Sequence, residues 1–364
     1  MGTESLVFSF QFSIFNFQFS IIMKRRTFIK SGAFAGAGIM ASGISFGNTN
    51  RNSVQQGKRV GIIGLDTSHA TAFTKSFNVD VLPELDGYRV VAAYPQGSKD
   101  IESSTTRVPG YIDEVKAMGV EIVDSIPDLL QKVDVILLES NDGRVHLEQA
   151  IPVFKSGKTM FIDKPIAGTL TDAFAIFQAA KDMNQPVFST SSLRYMSNMD
   201  AIVKNQSAGT ILGAETYGPC TLEVTHPDFF WYGIHGIEAL FTVMGTGCQT
   251  VTRVHTPDTD VVIGIWEGNR IGTFRGLRAG RTAYGGNVFG QRAIRPLGDN
   301  RGYDPMLVEV VKYFQTRISP VTPEETLEVF TFMEAADESK RRGGAAVSMD
   351  ETKQKALAQL KKTW

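Results

Sequence analysis

The 364-residue chain is poor in cysteine, with Cys220 and Cys248 alone. Two thiols make neither a disulfide framework nor a cysteine-based zinc cluster. They read either as a pair that bridges after export or as two small buried side chains. An excess of one charge is missing as well. The 37 Lys and Arg face 38 Asp and Glu, with the signs interspersed, which argues against a nucleic-acid partner. A membrane span needs about 20 strongly apolar residues, and the mild run 31–46 falls short, so no stable span is expected. Histidine is scarce, with 5 in all, and none stands in an H-x-x-x-H spacing. Asp66, His69, His146 and Asp163 fall at one expected sheet edge, but without such spacing no metal site is expected. No internal repeat breaks the chain.

The N-terminus carries a different message. Lys24-Arg25-Arg26-Thr27-Phe28-Ile29-Lys30 sets paired arginines ahead of a Gly- and Ala-rich apolar run that ends at Phe46. That order matches a twin-arginine export signal and implies a periplasmic protein. Residues 1–50 are therefore set apart as extension and signal, with the start at Met1 or Met23 and a cut between Ala41 and Arg51.

The remaining residues fill one large or two ordinary domains. Continuous apolar runs at 59–65, 88–93, 133–139 and 159–163 are the mark of strands buried on both faces. Helical patterns separate the later ones, such as 146–154 with Gly157 as C-cap. Alternation of this kind predicts a Rossmann-like, doubly wound parallel sheet over 58–166. A further helix (171–183) and strand (187–190) follow. Strand-like alternation at 214–224, 250–255, 261–266 and 271–277 then predicts an α+β region, 167–345, with a large open, mainly antiparallel sheet. Late helices are expected at 304–316 and 323–341, the second opened by Pro323, Glu324 and Glu325. Residues 346–364 read as a tail.

A dinucleotide would sit on the turn after the first strand, where G-x-G-x-x-G lets backbone approach the pyrophosphate. Here the turn reads Gly64-Leu65-Asp66-Thr67-Ser68-His69, and only the first glycine is present. Asp66 takes the close-approach position, and His69 takes the position that lets helix and strand pack. Asp66 or Ser68 reads equally as a helix N-cap. After the second strand no ribose-binding acid appears. Ser98 and Lys99 would suit a 2′-phosphate, with a plain surface lysine as the simpler reading of Lys99.

The chemistry concentrates in two places. Met160-Phe161-Ile162-Asp163-Lys164-Pro165 is a buried strand running into a lysine, at the carboxyl end where such sheets bind ligands. Tyr232-Gly233-Ile234-His235-Gly236-Ile237-Glu238 places one histidine on an apolar helical pattern. Lys164 and His235 meeting over a cleft would move a proton to or from a sugar hydroxyl, with His235 the first choice of base.

With these motifs in place, the chain resembles the glucose–fructose oxidoreductase, inositol dehydrogenase and rhizopine catabolism (Gfo/Idh/MocA) family from about Lys58 onward. Asp163-Lys164-Pro165 is similar to its E-K-P motif. Ser140-Asn141-Asp142-Gly143-Arg144-Val145-His146 is similar to its loop beside the nicotinamide. Ser191-Ser192-Leu193-Arg194-Tyr195 is similar to a segment with an arginine at the domain junction. Gly233-Ile234-His235 resembles its D-x-G-x-H helix, and 326–343 the helix that returns to the nucleotide domain. The resemblance implies NAD or NADP held by Gly61, Gly64, Asp66, Thr67, Ser68, His69, Ser140, Asn141, His146, Asp163, Lys164 and Pro165. It implies a small carbohydrate substrate against Arg194, Tyr195, Trp231, Tyr232 and His226, the last in a loop where a structural role is the plainer reading. It also implies a homo-oligomer paired through the open sheet.

Two departures shape the function expected. Trp231 stands where the family has an aspartate, and the glycine turn is incomplete. The first expectation is an exported NAD(P)-dependent oxidoreductase acting on a sugar hydroxyl by hydride transfer, with a retained cofactor. The alternatives are a redox-neutral glycosidase or lyase on the same fold, and a non-catalytic sugar-binding protein with a degenerate nucleotide site.

Overall fold

The computed structural model describes residues 57–363. The export-signal reading and the undetermined start and cut fall outside them. The first sheet is all parallel and runs β3-β2-β1-β4-β5-β6. Its strands are β1 (Arg59–Ile63), β2 (Arg89–Tyr94), β3 (Glu121–Ile122), β4 (Val135–Leu138), β5 (Thr159–Ile162) and β6 (Val187–Phe188). Between them lie α1 (Ser68–Asn78), α2 (Glu102–Thr105), α3 (Val108–Ala117), α4 (Ile126–Lys132), α5 (His146–Ser156) and α6 (Leu170–Asp182). Gly157 closes α5 at a positive φ of 74°, as a C-cap glycine should. The sheet runs on to Phe188, beyond the expected boundary at 166, because β6 adds to the edge of β5.

Period-two alternation divides the buried strand residues between two cores. Val60, Ile62, Val135, Leu137 and Phe161 pack on one face, with Phe73 and Phe77 of α1. Ile63, Ile136, Leu138, Met160 and Ile162 pack on the other, with Ala150 and Val153 of α5 and Ile176 of α6. The first face is completed from far along the chain. Met306, Leu307, Val310, Val311 and Phe314 belong to its core.

The rest of the chain contributes α7 (Met199–Val203), α8 (Ile234–Met244), α9 (Asp304–Thr316), α10 (Pro323–Arg341) and α11 (Met349–Thr363). Of the expected tail 346–364, the described residues to 363 hold a short strand and a helix. The second sheet runs β12-β11-β7-β10-β9-β8-β13. Its strands are β7 (Ile211–Pro219), β8 (Cys248–His255), β9 (Thr259–Trp266), β10 (Arg270–Leu277), β11 (Gly285–Gly290), β12 (Ile294–Pro296) and β13 (Val347–Ser348). Only β7 and β10 pair in parallel, so the sheet is mainly antiparallel, as expected. Helix α8 is buried on every side and lies against β7 and β10. The opposite face of the sheet leaves Leu212, Tyr217, Ile265, Ile271 and Phe289 exposed. Cys220 and Cys248 are free, buried thiols, which settles the bridge alternative. Among the described residues no helix is long and apolar enough to cross a membrane.

Candidate active site

Parallel strands deliver their carboxyl ends to one edge, and the candidate residues gather there. Thr67, Ser68 and His69 open α1, Asn141 follows β4, Lys164 and Pro165 follow β5, and Trp231, Tyr232 and His235 come from the approach to α8. All nine line one cavity of about 500 Å³. The lysine and the histidine expected to converge therefore do so. Tyr284, Tyr303 and Ser192 also line it; neither tyrosine was marked by the sequence, and Ser192 only as part of the segment 191–195.

Each central side chain is held by identifiable partners. Nδ1 of His235 is bonded to Ser191 Oγ at 2.7 Å, which orients the ring and leaves Nε2 toward the cavity. Burial, and next the Lys164 ammonium, hold the His235 imidazole well below its usual range, so it stays neutral near pH 7. Lys164 Nζ lies 3.8 Å from Asp163 Oδ2. The same Asp163 oxygen is 2.7 Å from His69 Nδ1. Burial alone would raise the Asp163 carboxyl, but His69 and Lys164 outweigh it and hold it below the carboxylate range. Glu139, just past β4, is fully buried, and burial followed by the Asp163 charge pushes its carboxyl well above the usual range.

Several expected cofactor contacts turn out to be internal. Gly61 faces the side chains of Val133 and Ile136 and serves packing inside the sheet. Gly64 does make the tight turn, at φ +91°, where a Cβ would stand 2.5 Å from Ser140 N. The N-cap of α1 is Thr67, whose Oγ1 accepts from His69 N, rather than Asp66 or Ser68. His146 is buried beneath the sheet edge, with Nδ1 bonded to Ile166 O at 3.1 Å and Nε2 to Ser140 O at 2.7 Å. Both ring nitrogens are taken by backbone, so it braces the two loops instead of facing a ligand. Ser140 Oγ donates to Gln149 Oε1 at 2.7 Å, which also turns it inward. Asp163 likewise sits behind the cavity wall.

Three expected substrate contacts also point elsewhere. Arg194 bonds Glu238 at 3.1 Å and Glu325 at 2.6 Å, and with Tyr195 it borders a separate cavity beside α7 and α9. Glu238 and Glu325 on neighbouring helices draw the guanidinium away from the His235 pocket. His226 packs beside Trp231 and places Nε2 3.2 Å from Asp142 Oδ1, so its role is the loop-structural one.

Asp66 decides how the turn relates to a dinucleotide. It is fully buried, and its carboxylate accepts from Ser98 N at 2.7 Å and from Asn141 N at 2.9 Å. The loops after β2 and β4 lie on either side of β1, so this one carboxylate ties them together across the β1 crest. Arg144 reinforces the tie through Asp100 and Asp142, and Asn141 Nδ2 donates to Ser104 Oγ at 2.9 Å. Ser98, proposed for a 2′-phosphate, is spent in this network, and Lys99 is exposed at the surface. A pyrophosphate laid over the turn in the usual manner would meet a carboxylate where the motif has glycine. The crest does not fit that group with Asp66 in this position.

A family model described as an oxidoreductase family with an NAD-binding Rossmann fold, Gfo/Idh/MocA, matches residues 31–191. Over these residues, somewhat under half of the chain, the sequence is similar to that family. A search of curated proteins gives no match. Among solved structures, a probable dehydrogenase from Thermotoga maritima superposes with a TM-score of 0.66 at 18% identity, covering 81% of this chain and 99% of that one. Scyllo-inositol dehydrogenase from Lactobacillus casei, solved with NAD(H) and scyllo-inositol, gives 0.64 at 13% identity over 80% and 99%. At such identities the neighbours show a shared fold. NAD is the cofactor that the matched family description names, and Asp66 stands in this chain where the dinucleotide motif has glycine.

Proposed function

We propose that this chain is an exported enzyme of the NAD-binding oxidoreductase fold that acts on a hydroxyl of a sugar or sugar derivative. The observation that carries the reading is one cavity lined by both Lys164 and His235, with Trp231, Tyr232, Tyr284 and Tyr303 around them. Aromatic rings of this kind suit the apolar faces of a sugar ring. Neutral His235 takes the hydroxyl proton at Nε2, while Ser191 holds the ring in place. The Lys164 ammonium donates to the same oxygen or to an adjoining carbonyl and stabilises developing negative charge. The volume, about 500 Å³, suits a monosaccharide or small glycoside. The inositol dehydrogenase among the fold neighbours supports a polyol or sugar, and the arginine pair near the N-terminus supports periplasmic export. The exposed apolar face of the second sheet supports a homo-oligomer, which light scattering on the purified chain tests.

Oxidation of the hydroxyl with NAD(P) as hydride acceptor is the reading that the family supports. A redox-neutral lyase or glycosidase is the second reading, and the Asp66 crest favours it. Calorimetric titration with NAD+ and NADP+ separates them. The first reading expects saturable binding of one dinucleotide to the wild-type chain and turnover of polyols. The second expects no binding by the wild type, a gain of binding in Asp66→Gly, and turnover of 3-keto-glycosides without added cofactor. Absence of turnover of polyols and of 3-keto-glycosides alike by the wild-type chain would remove the enzymatic reading, and unchanged turnover in both Lys164→Ala and His235→Ala would remove these two residues from the mechanism.

A further inference from the structure

Below the cavity, the ends of β4 and β5 and the first turn of α1 bring together Glu139, Asp163 and His69. One ligand atom from each lies within 4.8 Å of the others. Neither oxygen of Glu139 has a hydrogen-bond partner, although the side chain is fully buried, and Asp163 Oδ1 is also without one. Three of the four carboxylate oxygens in this cluster are therefore buried and unmatched. The fourth, Asp163 Oδ2, carries the contacts to His69 and Lys164. Burial of an unmatched carboxylate is costly, and folded proteins ordinarily supply a donor, a counter-charge or an ion. The nearest ammonium, Lys164, approaches only the oxygen that is already served. Nothing else among the described side chains offers Glu139 a partner.

We infer that His69, Glu139 and Asp163 bind one divalent transition-metal ion. The ligand types narrow its identity. One imidazole nitrogen with two carboxylates suits Zn2+, Mn2+ or Fe2+, whereas Mg2+ and Ca2+ favour all-oxygen shells. Metal–ligand distances of about 2.0–2.2 Å place tetrahedral neighbours roughly 3.4 Å apart, so from ligand atoms within 4.8 Å of one another the cluster contracts by up to about 1.4 Å on binding. That shift lies within side-chain rotation of Glu139 and Asp163. Three protein ligands leave a position open, the arrangement of catalytic rather than structural ions. His69 lines the cavity that also holds Lys164 and His235, so an ion held by it would stand beside that cavity. There the ion would act as a Lewis acid beside the ammonium. This proposal departs from the expectation of no metal. Two of the four residues weighed for that role, Asp66 and His146, are engaged with backbone. The third ligand is instead the glutamate that ends an apolar strand.

The test uses the full chain stripped with chelator, then titrated with Zn2+ by calorimetry and with Co2+ by visible absorption. One ion per chain and a ligand-field band are expected, together with a higher melting midpoint when Zn2+ is present. Glu139→Gln keeps the shape, weakens Zn2+ binding by about tenfold or more, and removes the metal-dependent rise in melting. His69→Gln repeats the test from α1, at a position that borders the cavity. His235→Ala keeps the ion, because that ring is not a ligand, even where it abolishes turnover. Failure of the carbohydrate reading and failure of the metal site are thus read separately. Absence of a stoichiometric ion in the wild type, or equal binding by Glu139→Gln and His69→Gln, overturns the inference and leaves Glu139 as a carboxyl held neutral by its dry surroundings.

Discussion

Two clusters of buried charge stand at opposite ends of the same chemistry. In the second sheet, Arg253 is fully enclosed and donates to Asp260 at 2.8 Å, Asp337 at 2.5 Å and Asp228 at 2.6 Å. Arg278 adds to Asp260, Lys340 bonds Asp228 at 2.7 Å, and the guanidinium stacks 4.1 Å from the Phe229 ring centre. Three cations there meet three carboxylates, and none of these side chains leaves a buried polar atom unmatched. At the strand ends, Glu139 and Asp163 face Lys164 and His69 with three carboxylate oxygens unserved. A balanced network fixes geometry and has nothing to offer a ligand. An unbalanced one keeps capacity in reserve, and reserve of that kind is found where something is bound or transformed.

The largest expected effect tests the unbalanced cluster. Lys164→Ala lowers turnover by about 10²–10⁴-fold while the melting midpoint hardly moves, as steady-state kinetics beside differential scanning calorimetry would show. A large loss of stability instead would make Lys164 a member of the scaffold and erase the contrast. Next comes the balanced cluster. Arg253→Met leaves Asp337 without its cation, removes one of the two cations at Asp228 and at Asp260, and costs about 3–5 kcal/mol, read from denaturant midpoints. A cost below about 1 kcal/mol would show that the network is slack.

Acid provides a finer probe. Burial raises the Asp260 carboxyl, but bonds from Arg253 and Arg278 outweigh it and hold it below the ordinary range. A depressed carboxylate contributes stability that is complete above its unfolded pKa, near 3.9, and that is lost as pH falls toward the folded value. Unfolding free energy is therefore expected to drop below about pH 4, with a shallower drop in Arg278→Gln, by about 1.4 kcal/mol for each pKa unit restored. The smallest effect sharpens the comparison from the other side. Glu139→Gln in chelator changes stability by about 1 kcal/mol or less, because the native carboxyl has no partner to lose.

The sequence showed best what depends on short range. The apolar runs of β1, β4 and β5, the C-cap Gly157 and both late helices follow from local period and capping, and α9 and α10 begin and end where expected. Lys164 and His235 were legible because a strand end and a helix start each announce themselves. Tyr284 and Tyr303 reach the cavity from segments without local periodicity, and only the packing of distant elements brings them there. Arg194 illustrates the opposite failure. Its position was read from a segment, but Glu238 and Glu325, 44 and 131 residues away, decide where the guanidinium points. Glu139 looked like the last residue of a buried strand. Its significance lies in a missing partner, which no spacing pattern reports.

Helix α9 lends Met306, Leu307, Val310, Val311 and Phe314 to the core that covers one face of the first sheet. A growing polypeptide released from the ribosome only as far as residue 300 would therefore hold Val60, Ile62, Val135 and Leu137 with one side still wet. Completion of the nucleotide-type half must wait for nearly the whole chain to emerge, and cutting that half out at its apparent seam would yield an aggregation-prone fragment rather than an autonomous module.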